Sequence, residues 1–182
     1  MKNLTQINFR NIKNVGIRVD FNVPINDSFQ ITDNTRLIRA KDTIDFVSKN
    51  ESKILLLSHF GRPKESFDEK FSFANLIDQF SNILGYEIHL LSYEEFLLNG
   101  LQQFKKGTNK ITLLDNIRFF EGEKKNDKSF SQSITNELDL FINEAFSASH
   151  RSHASVNQMS KNILSAPGDR KSTRLNSSHL VI

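Results

Sequence analysis

Arginine and histidine gather where apolar runs stop. Ile54-Leu55-Leu56-Leu57 leads straight into Ser58-His59-Phe60-Gly61-Arg62-Pro63-Lys64. A run ending at Val19 gives way to Asp20-Phe21-Asn22-Val23-Pro24, and Ile111–Leu114 is followed by Asp115, Asn116 and Arg118. Leu140–Asn143 precedes Glu144-Ala145-Phe146-Ser147-Ala148-Ser149-His150-Arg151-Ser152-His153-Ala154-Ser155. Several guanidinium groups beside a histidine, with no acidic cluster, suit a phosphate or carboxylate, because the planar fork offers two parallel donors to either group. Asp20 and Asp115 lack the spacing of a metal site. His150 and His153 stand three apart, but no cysteine or further clustered histidine completes a zinc set, and a loop carries them. No serine sits in a Gly-x-Ser-x-Gly elbow, so a hydrolase triad has no support.

The elements that must position these groups alternate between strand and helix. Gly16–Phe21 is predicted as a first strand, with Ile17, Val19 and Phe21 on one side and Arg18 and Asp20 on the other. Residues 25–32 form a polar, hairpin-like excursion. Asp33 can cap a helix whose apolar residues Leu37, Ala40, Ile44 and Val47 recur at helical spacing through Asn50. Arg36 falls in its first turn, where a cation opposes the helix dipole unless an anion lies nearby. Ile54–Leu57 suits a strand buried on both faces, and Phe71–Leu84 a helix ended by Gly85. Tyr86–Leu91, Ile111–Leu114 and Leu140–Asn143 read as further strands, Tyr93–Leu98 and Ser129–Leu138 as helices. The mixed charges of Glu121–Asp127 read as a solvated loop. The pattern predicts an α/β domain of three layers, Rossmann-like, with a mostly parallel sheet and helices on both faces. In such sheets ligands bind beyond the carboxyl ends of the strands, where these polar residues fall.

At 182 residues the chain suits one domain. Absence of cysteine excludes disulfides and thiolate chemistry and fits a reducing, cytoplasmic setting. No apolar run approaches the roughly 18 residues that span a bilayer, and the first residues lack the apolar core of a signal peptide. The net charge is +3, but Arg170, Lys171 and Arg174 against Asp169 leave only +1 over residues 1–168, so no basic face for nucleic acid is expected. The 16 phenylalanines fall at core-like spacings.

In order along the chain, Arg18-Val19-Asp20-Phe21-Asn22-Val23-Pro24, Asn34-Thr35-Arg36, Ser58–Lys64, Leu114-Asp115-Asn116-Ile117-Arg118-Phe119, Lys125-Asn126-Asp127 and His150–Ser155 resemble the motifs of the phosphoglycerate kinase family, in its amino-terminal domain. The resemblance runs over about residues 5–168. It implies a reversible phosphoryl transfer between magnesium-ATP and the carboxylate of 3-phosphoglycerate, giving 1,3-bisphosphoglycerate and ADP, in glycolysis and gluconeogenesis. By matched motif, Asp20, Phe21 and Asn22 would lie against the substrate's hydroxyl and backbone oxygens. His59, Phe60, Gly61, Arg62, Arg118 and Arg151 would surround its phosphate. Arg36 would face the carboxylate and act catalytically. No metal site is implied here: magnesium and the nucleotide, ATP or ADP, would bind a second domain, whose glycine-rich loop has no counterpart in these residues.

The family usually reads Asp-Ala-Phe-Gly where Glu144-Ala145-Phe146-Ser147 stands. Leu164–Gly168 resembles the approach to the interdomain region, which sets residues 1–168 as an incomplete substrate domain. Residues 169–182 resemble the translation of a sequencing-library adapter and are expected to lie outside the fold. A monomer is expected, inactive without its nucleotide half. The alternative is a stand-alone module that binds phosphorylated acids without catalysis.

Overall fold

The computed structural model describes residues 4–64, 66–145 and 153–168. Six strands, β1 (Asn14–Arg18), β2 (Lys53–Leu57), β3 (Ile88–Leu91), β4 (Ile111–Leu114), β5 (Leu140–Asn143) and β6 (Ser165–Pro167), form one sheet in the order β3-β4-β2-β1-β5-β6. Every pairing is parallel. Alternate residues of each strand face opposite sides. Val15, Ile17, Ile54, Leu56, Leu113 and Ile142 pack on one face with Leu37, Ile44 and Val47 of α1 (Thr35–Lys49) and with Phe80 and Leu84 of α2 (Ile77–Leu84). Leu55, Leu57, Leu114 and Phe141 pack on the other face. They meet Phe96 of α3 (Tyr93–Asn99), Phe104 of α4 (Gln102–Lys106), Ile134 of α6 (Lys128–Thr135) and Met159 of α8 (Met159–Asn162). Between these lie the one-turn helices α5 (Glu121–Lys124) and α7 (Ala154–Asn157). This is the expected three-layer α/β fold. No helix among the described residues is long and apolar enough to cross a membrane.

Local chemistry sets the boundaries. The excursion at residues 25–32 closes with an antiparallel bridge between Ile25 and Ile31. The N-cap of α1 is Asn34, whose side chain makes no cap bond, rather than the expected Asp33; Asp33, one residue earlier, still supports this end, its Oδ1 accepting from the Thr35 amide at 2.8 Å. Ser92 and Glu95 form a reciprocal capping box on α3. β6 had no strand signal. Its Pro167 is tolerated because the strand lies at the sheet edge, where a missing N–H breaks no ladder.

Three expectations change. β1 spans Asn14–Arg18 rather than Gly16–Phe21, and Arg18 is buried rather than on a polar side. The helix expected at Phe71–Leu84 starts only at Ile77, preceded by single 3-10 turns at Glu69–Phe71 and Phe73–Asn75. Asp115 interrupts it: its carboxylate accepts from Ser72 Oγ at 2.9 Å and the Phe73 amide at 2.8 Å, holding Ser72 extended where it caps the second turn. The supposed loop at residues 121–127 contains α5, with Glu123 fully buried.

Burial holds the Asp115 carboxyl above its ordinary range, although donors from Phe73, Asn116 and Ser72 oppose the shift. A raised folded-state value means that the fold favours the protonated form, and that this contribution is lost as pH rises through the folded value. Denaturation of wild type and Asp115→Asn between about pH 4 and pH 7 is expected to show the wild type losing stability relative to the variant as pH increases. A constant difference would show that the three donors cancel the burial.

Candidate functional site at the carboxyl edge of the sheet

The chain leaves β1 and β2 toward the face holding α1 and α2, and leaves β4 and β5 toward the other face. The carboxyl ends of β1 and β2 therefore sit between departures in opposite directions, the kind of position at which open α/β sheets bind ligands. Gly61, after β2, adopts φ 57°, and a side chain there would collide with the Phe71 ring. Glycine meets both conditions. Its amide donates to Asn22 Oδ1 at 2.8 Å, and its carbonyl accepts from an Arg118 Nη1 hydrogen. Three strand ends are thus joined at one residue.

Asn116 holds the same loop from β4. Its Oδ1 accepts from the amides of Phe60 and Arg118, both at 3.1 Å, and its Nδ2 donates to the Phe60 and Phe71 carbonyls. Phe21 and Phe60 bury their rings against Phe80 and against Phe71 and Phe73, and so pack behind the site. Asp20 is half-buried and pairs with Arg36 Nη1 at 2.7 Å, which brings the first turn of α1 to the end of β1. Arg62 is exposed and has no hydrogen bond or ion pair among the described residues. The structure thus brings Asp20, Asn22, Arg36, His59, Gly61, Arg62 and Arg118 to one edge; Arg151 and His150 lie outside the described residues.

Behind this surface runs a buried polar chain that the sequence did not reveal. Arg18 is only 1% exposed. Its Nε donates to Ser155 Oγ at 2.9 Å, its Nη1 to the Val19 carbonyl and its Nη2 contacts His59 Nδ1 at 3.1 Å. Ser155 in turn donates from Oγ to Glu123 Oε1 at 2.6 Å and from its amide to Oε2 at 2.8 Å. His153 Nδ1 stands 3.9 Å from Glu123 Oε1. Burial lowers the Arg18 value, against the opposing pull of the Glu123 and Asp20 carboxylates. A polar residue in a strand covered on both faces was the available signal: a charge there must be compensated. Nothing in the run 121–127 marked Glu123 as its remote partner.

Among the described residues no three His, Asp or Glu side chains gather as a metal site. What does gather is a set of donors, with the Glu123 carboxylate fully buried behind them and Asp20 paired with Arg36 at the edge, an arrangement that suits a polyvalent oxyanion.

The sequence matches the phosphoglycerate kinase family over residues 4–177. The chain belongs to that family. It is 40% identical over 153 residues to the phosphoglycerate kinase of Prochlorococcus marinus (strain MIT 9515), an alignment covering 82% of this chain and 37% of the relative. It is also 40% identical over 158 residues to that of Wolbachia sp. subsp. Drosophila simulans (strain wRi), covering 86% and 39%. The solved phosphoglycerate kinase of Coxiella burnetii superposes with a TM-score of 0.81 at 26% identity, over 96% of this chain and 43% of that one. The enzyme from Pyrococcus horikoshii OT3 has the same fold, with a TM-score of 0.81 at 22% identity. The chain spans less than two fifths of these curated relatives.

Removing one partner from a buried ionic cluster leaves an uncompensated charge and typically costs about 3 to 5 kcal/mol. Glu123→Ala is expected to fall in that range by urea denaturation, whereas Glu121→Ala, two residues earlier on the exposed side of the same turn, changes little. Equal effects would mean that Arg18 does not depend on the carboxylate.

Proposed function

We propose that the chain is the acid-substrate half of a phosphoglycerate kinase, binding 3-phosphoglycerate at the carboxyl edge of the sheet. The observation that carries this reading is the convergence of β1, β2 and β4 on Gly61, with Asn22, Arg62 and Arg118 around it. Arg62, Arg118, His59 and Arg151 surround the phosphate, and Asp20 and Asn22 meet the hydroxyl and backbone oxygens. Asn22 is suited to this because its Oδ1 is occupied by Gly61 while Nδ2 has no partner among the described residues.

Magnesium and nucleotide bind a second domain; together they supply an activated phosphoryl group with part of its charge neutralised. Carboxylate oxygen attacks the γ-phosphorus, the bond to the ADP oxygen breaks, and that oxygen keeps the electron pair. No general base is needed, because a carboxyl group with an ordinary value near ~4 is already ionised at neutral pH. This chain's residues act by positioning and charge neutralisation. Arg36 meets the carboxylate and the phosphoryl in flight. Its pair with Asp20 leaves the Arg36 side chain 42% exposed, and such partly exposed pairs are weak enough for an arriving anion to recruit the guanidinium.

Calorimetric titration of the chain with 3-phosphoglycerate is expected to show weak binding, reduced by roughly one to two decades in Arg62→Ala and in Arg118→Ala, as for a lost charge-assisted contact of about 1.5 to 3 kcal/mol. Unchanged binding in both variants would remove the basic cradle.

Kinetics distinguish a kinase from a passive binding module. With residues 1–168 joined to a complete nucleotide domain of a relative, Arg36→Ala should lower kcat by on the order of 100-fold with little change in KM for 3-phosphoglycerate, while Arg62→Ala should mainly raise KM. Interchangeable kinetic profiles would reject the role given to Arg36.

A further inference from the structure

Arg18 touches none of the proposed substrate groups except His59, and the direction of every hydrogen bond in its buried chain can be assigned. A guanidinium has donors only. At 3.1 Å from Arg18 Nη2, His59 Nδ1 must therefore be the acceptor and carry no proton. The ring's proton then resides on Nε2. The other end is equally determined. Glu123 accepts at both carboxylate oxygens, so the single Ser155 hydroxyl hydrogen goes to Oε1, and the hydroxyl's lone pair receives Arg18 Nε–H. With Nη1 on the Val19 and Leu57 carbonyls, all three nitrogens of the guanidinium are engaged. The group has no freedom to turn away from the imidazole.

We propose that Arg18, held by Ser155 and Glu123, is a positioning residue that fixes His59 as the tautomer bearing its proton on Nε2, so that His59 meets the bound anion as a neutral N–H donor. This rests on the reading of the edge as an anion site. In the opposite tautomer, the Nε2 lone pair would face the same oxyanion and oppose binding. Selecting the tautomer from behind lets the site gain a directed donor without burying another full charge beside Arg18, where desolvation is already costly. It also explains why Glu123 belongs inside: its carboxylate balances Arg18 and, through the serine, sets that residue's direction.

The test uses the full 182-residue chain labelled with 15N-histidine. Long-range proton–nitrogen spectra distinguish the two tautomers and the imidazolium, with His59→Asn assigning the signals. The expected result at neutral pH, before and after adding 3-phosphoglycerate, is a protonated Nε2 and a bare Nδ1. Ser155→Ala should release the ring into a mixture of states and weaken 3-phosphoglycerate binding about tenfold, and Ser155→Thr, which keeps the hydroxyl, should recover both. Finding the wild-type proton on Nδ1, or on both nitrogens, overturns the proposal without any variant. A Ser155→Ala protein that melts lower but keeps both the tautomer and the affinity overturns it as well, since the serine would then be merely structural. If wild type shows the expected tautomer but does not bind 3-phosphoglycerate, the arrangement of Arg18 and His59 stands and the anion-site reading fails.

Discussion

A guanidinium 1% exposed at the end of a central parallel strand is the constraint on which this edge of the molecule depends. Taking a cation out of water costs several kcal/mol unless the protein returns its hydrogen bonds and a counter-charge. The residue that follows β1 supplies only the Val19 carbonyl, and β2 a longer contact to the Leu57 carbonyl. His59, just after β2, takes Nη2, and the remainder comes from distant sequence: Ser155 at the start of α7 and, through it, Glu123 in α5. Satisfying Arg18 therefore draws together the chain after β4, which also carries Arg118 to the Gly61 loop, and the chain after β5. Fold and site share one electrostatic requirement.

In front of that cluster the loops are held by amide side chains rather than regular structure. Asn116 bonds the amide and carbonyl of Phe60 together, and Asn22 takes the Gly61 amide. Backbone groups in a buried loop need partners as much as those in a strand. Here the partners come from neighbouring strand ends, so satisfying the loop also fixes the relative positions of those ends. A ligand that binds such an edge meets donors already ordered, and less of the interaction is lost to ordering them.

The strands and the main helices were legible because their signals are local: the unbroken apolar run of Ile54–Leu57, the helical period of Leu37 to Val47, and Gly85 with φ 74° ending α2. The placement of Asp20, His59, Arg62 and Arg118 at one edge was legible as well, since a parallel sheet sends every strand's carboxyl end the same way. What could not be read depends on partners remote in sequence. Asp115 breaks the Phe71–Leu84 pattern from 42 residues away, and Ser155 reaches Arg18 across 137. Glu123 shares its run with solvated charges such as Glu121, and only tertiary contact separates them. β6 escaped notice because three residues at a sheet edge, one of them proline, carry too little pattern to register.

The cations of this edge differ in how far their own fold has already used them, and the order follows depth. Arg18 is buried with every nitrogen engaged, Arg118 is 8% exposed and holds the Gly61 carbonyl, Arg36 is 42% exposed at its side chain and shares one ion pair, and Arg62 is exposed without a partner among the described residues. Had all four been sunk to the depth of Arg18, each would have needed its own internal carboxylate, and those carboxylates would repel the anion that the site is proposed to receive. Had all four been as open as Arg62, water and salt would screen them and their side chains would have to be ordered on binding. The gradient resolves this conflict. Deep charges are neutralised internally and used to orient neighbours, while shallow ones keep donor capacity for a ligand. On this view the residues that determine how well the edge works as an anion site include some that no ligand touches, and Arg18 with Glu123 is the pair for which the geometry makes that case most directly.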